Sequence, residues 1–437
     1  MNKDIDQALS ILRNNAHRYS RAERYYNGEH DLAFATEKFQ STFGSLFREF
    51  ALNLCPIVCD AVRDKLRVTG FSVDAIPEDT GDPAADLTVA GIERLTRRIW
   101  NSNRLGLRSG EVHKEALKNG DAYVIVWPGA DGRAAVHPNR ARSLAVRTDD
   151  ETPDRIIWAA KSWPAAERHV RLNLFYSDRI EKYISRRPVQ GAMPEASEFI
   201  PYGPRGEKPQ LPNPFGRVPV FHFANNADLG SFGRSELEPA FAIQDGLNKS
   251  VLDMLVAMEF AAFRQRWVAG IEVSHDENGK VNAPFAAGVD HVWIAENNEA
   301  RFGDFAGTDL VQFLKVKDSF RLDLASVTGT PLHYFMQNTT GLPSGESLKK
   351  AETRFLAKVR DRQEAFGQVW ADIMSFALRV EGHGHVALNT MWEDPAPMSE
   401  KEFLENILLK KRIGLPTGQA LIEAGYGAAD VEDMTEL

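Results

Sequence analysis

Hydrophobic and polar positions change period several times along this chain, and each change predicts an element. Residues 4–26 carry apolar side chains at helical spacing among charges, and Tyr25-Tyr26 runs into an Asn27-Gly28 stop. Residues 43–68 repeat that period with Phe47, Phe50, Leu54, Ile57, Val58, Val62 and Leu66, and Gly70 lies just past the end. Pro56 inside this run predicts a kink or a break into two helices. A polar loop is expected over 71–86, then helices over 87–101 and 108–119.

The period then shortens. Residues 122–127 form a nearly continuous apolar run, joined through a turn containing Asp131-Gly132 to a second run at 133–137, as a hairpin would be. Further strands are predicted at 155–163, 169–176 and 179–184, with Ser177-Asp178 turning between the last two. The Pro- and Gly-rich stretch 186–219 reads as an extended excursion ending in a short strand, 218–223. Near the C-terminal end come a strand at 383–392 and a helix at 399–412 with a Ser399/Glu402 capping box. A short helix at 419–424 and an acidic tail follow.

Between these parts lies the most informative stretch, 230–381. A long amphipathic helix (235–263) precedes a short β-rich insert (267–305), a second helix (308–327), an uncharged Gly- and Pro-punctuated loop (329–345), and a very long helix from 346. At 1.5 Å rise per residue the first helix would be about 43 Å long and the last about 50 Å. The first carries apolar groups on more sides than one partner needs, which suits a helix touching neighbours on both flanks of a ring. A central helix of a monomeric α-domain is the plainer alternative. Such an order of parts describes an elongated subunit stacked along an axis more than a pocket enzyme.

At 437 residues and 43% hydrophobic the chain can bury a real core in two to four structural units. Its net charge of −9 argues against a protein whose main work is gripping nucleic acid, though not against one that lets nucleic acid pass. The N-terminus lacks the apolar core of a signal peptide, and no stretch approaches 18 uncharged apolar residues, so no membrane span is expected. Cys55 and Cys59 read as buried hydrophobes in a reducing compartment rather than as a metal or redox pair.

Several catalytic-looking fragments fail on inspection. Ser347 and Lys350 satisfy S-x-x-K, but the companion signatures are missing. Ser235 lacks the final glycine of a nucleophile elbow and is better placed as a helix N-cap. His383 and His385 read as a surface strand rather than metal ligands. Asp276 to Gly279 starts like a calcium loop without its closing glutamate, and Asn278-Gly279 is the better hairpin turn. There is no phosphate-binding P-loop and no dinucleotide fingerprint. No cofactor is expected.

Three segments carry a resemblance to a known family. NLCPIVCDAVRDKLRVTGF followed by EALKNGDAYVIVW is one; FGRSELEPAFAIQDGLNKSVLDMLVAMEF is the second; LASVTGTPLHYFMQ with the loop and charged helix behind it is the third. In this order the chain resembles the portal proteins, or head-to-tail connectors, of tailed double-stranded DNA bacteriophages, siphophages in particular. The resemblance implies an α+β subunit with a wing at 1–229, a first stem helix at 230–265, a clip at 266–307 and a second stem helix at 308–328. A tunnel loop at 329–345, a spine helix and strand at 346–398 and a short helical crown at 399–437 complete it. It implies a ring, typically of twelve, at one capsid vertex, without enzymatic activity. The implied partners are the terminase large subunit, a head-completion adaptor, the major capsid and scaffolding proteins, and double-stranded DNA passing irrespective of sequence.

On that resemblance the tunnel loop presents His333, Gln337, Asn338, Thr339 and Thr340, neutral groups that brush DNA without pinning it. Lys315, Lys317 and Arg321 are candidates to face DNA from the second stem helix, though a solvated, self-paired face is the more usual explanation for their mixture with Asp309, Asp318 and Asp323. Asp276, Asn278, Gly279, Glu296 and Asn297 are the clip's docking candidates. Strands at 267–273 and 291–295 are too few to hold a core alone and are expected to complete their sheet with a neighbouring subunit. The runner-up function is a cytoplasmic phage or bacterial enzyme with an unrecognised active site.

Overall fold

The structure is a computed structural model, and it describes residues 3–31, 33–37, 40–42, 44, 52–75, 83–153, 155–191, 193–229, 231–270 except 263–265, 299–304, 310–336, 352–396, 400–427, 431, 432 and 434. Its helices are α1 (Lys3–Tyr26), α2 (Cys55–Arg63), α3 (Val89–Ser102), α4 (Leu105–Asn119), α5 (Phe241–Ala262), α6 (Val311–Thr328), α7 (Thr353–Val380), α8 (Glu400–Arg412) and α9 (Thr417–Glu423) among the described residues. The strands are β1 (Val68–Ala75), β2 (Asp121–Pro128), β3 (Ala134–Arg140), β4 (Leu144–Thr148), β5 (Ile156–Pro164), β6 (Val170–Phe175) and β7 (Arg179–Ser185). After them come β8 (Phe199–Pro201), β9 (Gln210–Pro212), β10 (Val220–Ala224), β11 (Arg266–Ala269), β12 (Arg301–Asp304) and β13 (Ala387–Trp392). The chain is a mixed helix-and-sheet protein.

It divides into two compact units, one of Met1–Asp31, Asn53–Gln244 and Arg321–Leu437, the other of Leu32–Leu52 and Asp245–Phe320. In the larger unit β4 to β8 form a consecutive antiparallel sheet, with β9 also pairing β7. Side chains alternate across that sheet. Trp158, Ala160, Leu172 and Leu174 meet Ile5, Leu9 and Leu12 of α1 on one face. Ala159, Phe175 and Ile180 meet Tyr123, Ile125 and Val220 on the other. A second sheet, in the order β10-β2-β3, packs against α4 and α7. Around fully buried Trp370 of α7 gather Trp100, His113 and Phe223.

Most predicted elements run close to their expected bounds, and the departures have physical causes. Pro56 stands in the first turn of α2, where its missing N–H costs nothing, so it starts a helix at Cys55 instead of kinking a longer one. The polar loop expected from 71 begins instead as strand β1, because β13 pairs with it from more than 300 residues away, Val73 opposite Leu388. Strand β4 has no predicted counterpart; it is held by pairing to β5. The helix expected from 235 opens with a separate tight turn, Glu238–Ala240, around Pro239, and becomes regular only at Phe241. His383 and His385 lie in the irregular connection that leads into β13, not on the strand, with Gly382 and Gly384 at positive φ.

In the smaller unit, Gly246 of α5 lets the ring of Phe320 on α6 approach: a Cβ there would sit 2.9 Å from the ring. Strand β11 pairs antiparallel with β12, Trp267 opposite Gly303. The expected strand 291–295, the Asn278-Gly279 turn and the capping residue Ser399 lie outside the described residues.

Candidate channel loop and its anchorage

Of the predicted loop residues, His333 is described, in a single turn Leu332–Tyr334; Gln337, Asn338, Thr339 and Thr340 lie outside the described residues. So do the clip candidates Asp276, Asn278, Gly279, Glu296 and Asn297, and Ser347 with Lys350. Lys315, Lys317 and Arg321 stand on α6, Lys315 exposed and the other two half-buried. What the structure supplies is the entry to the loop, and it is firmly held.

Helix α6 stops at Thr328 because Gly329 turns left-handed (φ 67°), a conformation that costs glycine little. The Thr328 hydroxyl donates to the Leu324 carbonyl at 2.7 Å, and Lys358 Nζ donates to the Thr328 carbonyl at 2.9 Å. A cation on a helix's last carbonyls satisfies orphan acceptors and favours the dipole. Beyond the turn, His333 Nε2 lies 3.3 Å from Glu352 Oε1, the Tyr334 ring lies 5.7 Å from that of Phe355, and Phe335 is buried. Tyr334 and Phe335 thus fix the start of the loop to the start of α7.

Lys358 belongs to a buried charge cluster that sequence reading missed. Glu236 is 7% exposed, and its Oε2 lies 2.6 Å from Lys358 Nζ. Its Oε1 accepts from Arg362 Nη2 at 2.9 Å and Asn225 Nδ2 at 3.1 Å. Burial alone would raise the Glu236 carboxyl's pKa, but Lys358 and Arg362 together hold it below the ordinary value. A signal was available: Arg362 falls in step with Phe355, Val359 and Phe366 on the apolar stripe of α7, where a charge needs a partner.

A second hub joins two of the segments that carried the family resemblance. Asp121, fully buried, accepts from Tyr19 Oη at 2.8 Å, from the Gly233 backbone N–H at 2.9 Å and from Arg18, and meets His222 Nε2 at 2.7 Å. Burial pushes its carboxyl up; the His222 hydrogen bond and charge, with Arg18 and the Gly233 N–H, bring it down below the usual value. Gly120 and Gly233 cross so closely that a Cβ on Gly233 would lie 2.0 Å from the Gly120 carbonyl oxygen. Ser235 Oγ accepts from the Leu237 N–H at 3.1 Å and donates to the Lys118 carbonyl; the tight turn before α5 takes Leu237 as its N-cap with no side-chain cap, so Ser235 braces the approach to the helix and does not cap it as expected. The KNGDAY and FGRSE stretches are therefore one structural joint.

Cys55 and Cys59 are free and buried, and burial pushes the Cys59 thiol well above its ordinary pKa. Among the described residues no group of three or more His, Cys, Asp or Glu is placed to hold a metal ion, and no helix is long and apolar enough to cross a membrane.

A mixed helix-and-sheet chain with two helices flanking a small β insert, and a loop anchored between the second of them and a long buried helix, is the class of subunit these elements define. Residues 77–424 match the family model described as phage portal protein, SPP1 Gp6-like, and the chain belongs to that family. The portal protein of Mycobacterium phage L5 is 26% identical over 238 residues, 51% of this chain and 49% of that protein. The portal protein of Mycobacterium phage D29 is 26% identical over 237 residues, 51% of this chain and 48% of that protein. The match thus spans about half the length of each relative. Among solved structures, the virion of a native gene transfer agent particle aligns with a TM-score of 0.45 at 13% identity, over 85% of this chain and 88% of that one. The neck of the same kind of particle, computed with C12 symmetry, gives 0.44 at 12% identity over 90% and 94%.

Proposed function

We propose that this chain is the subunit of a ring at one vertex of a phage capsid, the conduit through which double-stranded DNA is packaged and later leaves. It would dock the terminase large subunit first and the head-completion adaptor afterwards, with the major capsid and scaffolding proteins around it. The family match over residues 77–424 carries the proposal. The helices on either side of the clip region support it: α6 leaves Val311, Leu314, Val316, Leu322 and Val327 substantially exposed, and Met258 of α5 is exposed as well. Bare apolar side chains repeated along one helix mark a surface meant for a partner, and a copy of the same subunit is the partner a ring provides. Wing, stem, clip, spine and crown are assigned as in the expected order.

On this reading Gln337 to Thr340, which lie outside the described residues, are the tip of the channel loop that follows the anchored turn Leu332–Tyr334. Neutral polar groups on a fixed stalk touch DNA without sequence preference and without an electrostatic trap. The roughly −100 summed over twelve subunits keeps the wall repulsive to phosphates. Deleting residues 337–340 tests this. Rings should assemble as the parent does, while packaging or retention of DNA falls. Normal packaging and retention by deleted rings would contradict the assignment.

A further inference from the structure

Part of the six-stranded sheet carries a cluster of positive charge with few carboxylates to offset it. Lys161 and Trp163 of β5, Arg171 and Asn173 of β6 and Lys182 of β7 alternate onto the face that Ala159, Phe175 and Ile180 share with the core. In register, Lys161 stands opposite Asn173, Asn173 opposite Lys182, and Trp163 opposite Arg171. The Arg171 guanidinium lies 5.0 Å from the Trp163 ring centre and 5.2 Å from that of Tyr202. Lys161 Nζ lies 5.4 Å from the same indole. Two rings therefore hold the guanidinium, a cation–π arrangement that leaves its N–H edge to recognise oxygen atoms.

Counter-charge is scarce there. Lys182 pairs with Glu207 at 2.7 Å, but among the described residues no carboxylate pairs with Lys161 or Arg171, and the buried Nε of Arg171 finds no acceptor. Burial pulls the Lys161 ammonium below its ordinary pKa with no opposite charge to offset it. His137 of β3 is lowered by burial and then by the positive charges of Lys161 and Arg108, so these groups share one positive region. Half-buried cations without partners are costly unless something outside the chain neutralises them.

We infer that this sheet face binds the phosphate backbone of nucleic acid. Lys161 and Arg171, diagonal to each other on adjacent strands, put two unpaired cations side by side, which suits a repeating polyanion better than a lone carboxylate. Because cations lie over the Trp163 indole, contact is through phosphates and not through stacked bases, and it ignores sequence. The site is a local exception on an acidic chain, and it does not depend on how many copies assemble.

The full-length protein and a short fluorescent DNA duplex test it, by anisotropy between about 50 and 200 mM salt. The double substitution Lys161→Gln with Arg171→Gln should weaken binding about tenfold and lower the log–log salt slope by about 1.8, two phosphate contacts' worth. Lys161→Gln alone, which keeps the Arg171 packing, should give about half the change in slope, and Lys161→Arg should bind like the parent. An unchanged slope in both Gln variants overturns the inference, as does a parent that binds no duplex at low salt. A polyglutamate peptide that displaces the duplex at equal charge concentration also overturns it, by pointing to an acidic protein segment instead.

Discussion

Glu236→Ala removes the carboxylate shared by Lys358 and Arg362 and is the sharpest test of how the loop is anchored. In the parent, Arg362 is 5% exposed and reaches Glu236 through Nη2 at 2.9 Å and Nε at 3.2 Å. Its remaining ion pair is to exposed Asp361. With Glu236 gone, a buried guanidinium and the Lys358 ammonium repel each other, and Lys358 is drawn from the Thr328 carbonyl it caps at 2.9 Å. Breaking a buried pair from one side costs about 3–5 kcal/mol, because the other charge stays buried without compensation. Urea unfolding followed by circular dichroism should show that loss in the transition of the larger unit. Pairing the change with Arg362→Met, which removes the stranded charge, should recover much of it. The pH dependence has a defined sign. Glu236 is held below its ordinary value of 4.5 in the folded state. Its contribution is therefore complete above that value and is lost as pH falls through the lowered folded value. Glu236→Ala should lack this acid-side loss. A cost under about 1 kcal/mol, or a double variant no more stable than Glu236→Ala, would refute the reasoning.

Two further changes probe the frame that carries this anchor. Gly233→Ala places a Cβ 2.0 Å from the Gly120 carbonyl oxygen and 2.5 Å from the Asn225 backbone nitrogen, so thermal melting should show a loss of about 3 kcal/mol or more. Gly132→Ala, at φ 77° with open space around it, should cost only about 1 kcal/mol. Fully buried His113 accepts a hydrogen bond from Trp370 Nε1 at 2.8 Å, and burial lowers its pKa from 6.5 to about 3. The unfolded chain therefore binds a proton below pH 6.5 that the folded chain refuses, and stability should fall by up to about 1.4 kcal/mol per pH unit on the way down. His113→Gln should flatten that slope, measured as melting temperature against pH.

How much was legible in the sequence depended on how local each cause was. Periodicity located α1, α4, α7 and the hairpin of β2 and β3, because their apolar faces repeat within a few residues. It missed β1, whose Phe71 and Val73 alternate too briefly to stand out and whose partner β13 lies at the far end of the chain. It missed β4 for the same reason: five residues gain their meaning only from β5. Pro56 reads in the sequence as an interruption within a helix, whereas folding uses it to start one. The two buried hubs were invisible for a different reason. Asp121 and Glu236 look like ordinary surface acids until tertiary contact brings Arg18, His222, Lys358 and Arg362 onto them. Two of the segments that carry the family resemblance, KNGDAY and FGRSE, meet at the Asp121 hub, where Gly120 and Gly233 cross and Ser235 reaches the Lys118 carbonyl.

The proposed role requires this chain to assemble into a closed ring. The mass of the purified, assembled protein in native mass spectrometry, with electron microscopy of the same sample, tests it most directly. Particles of about twelve 48.8 kDa subunits with a central opening are expected. A sample that remains a 48.8 kDa monomer at every concentration and salt, with no closed ring, would contradict it.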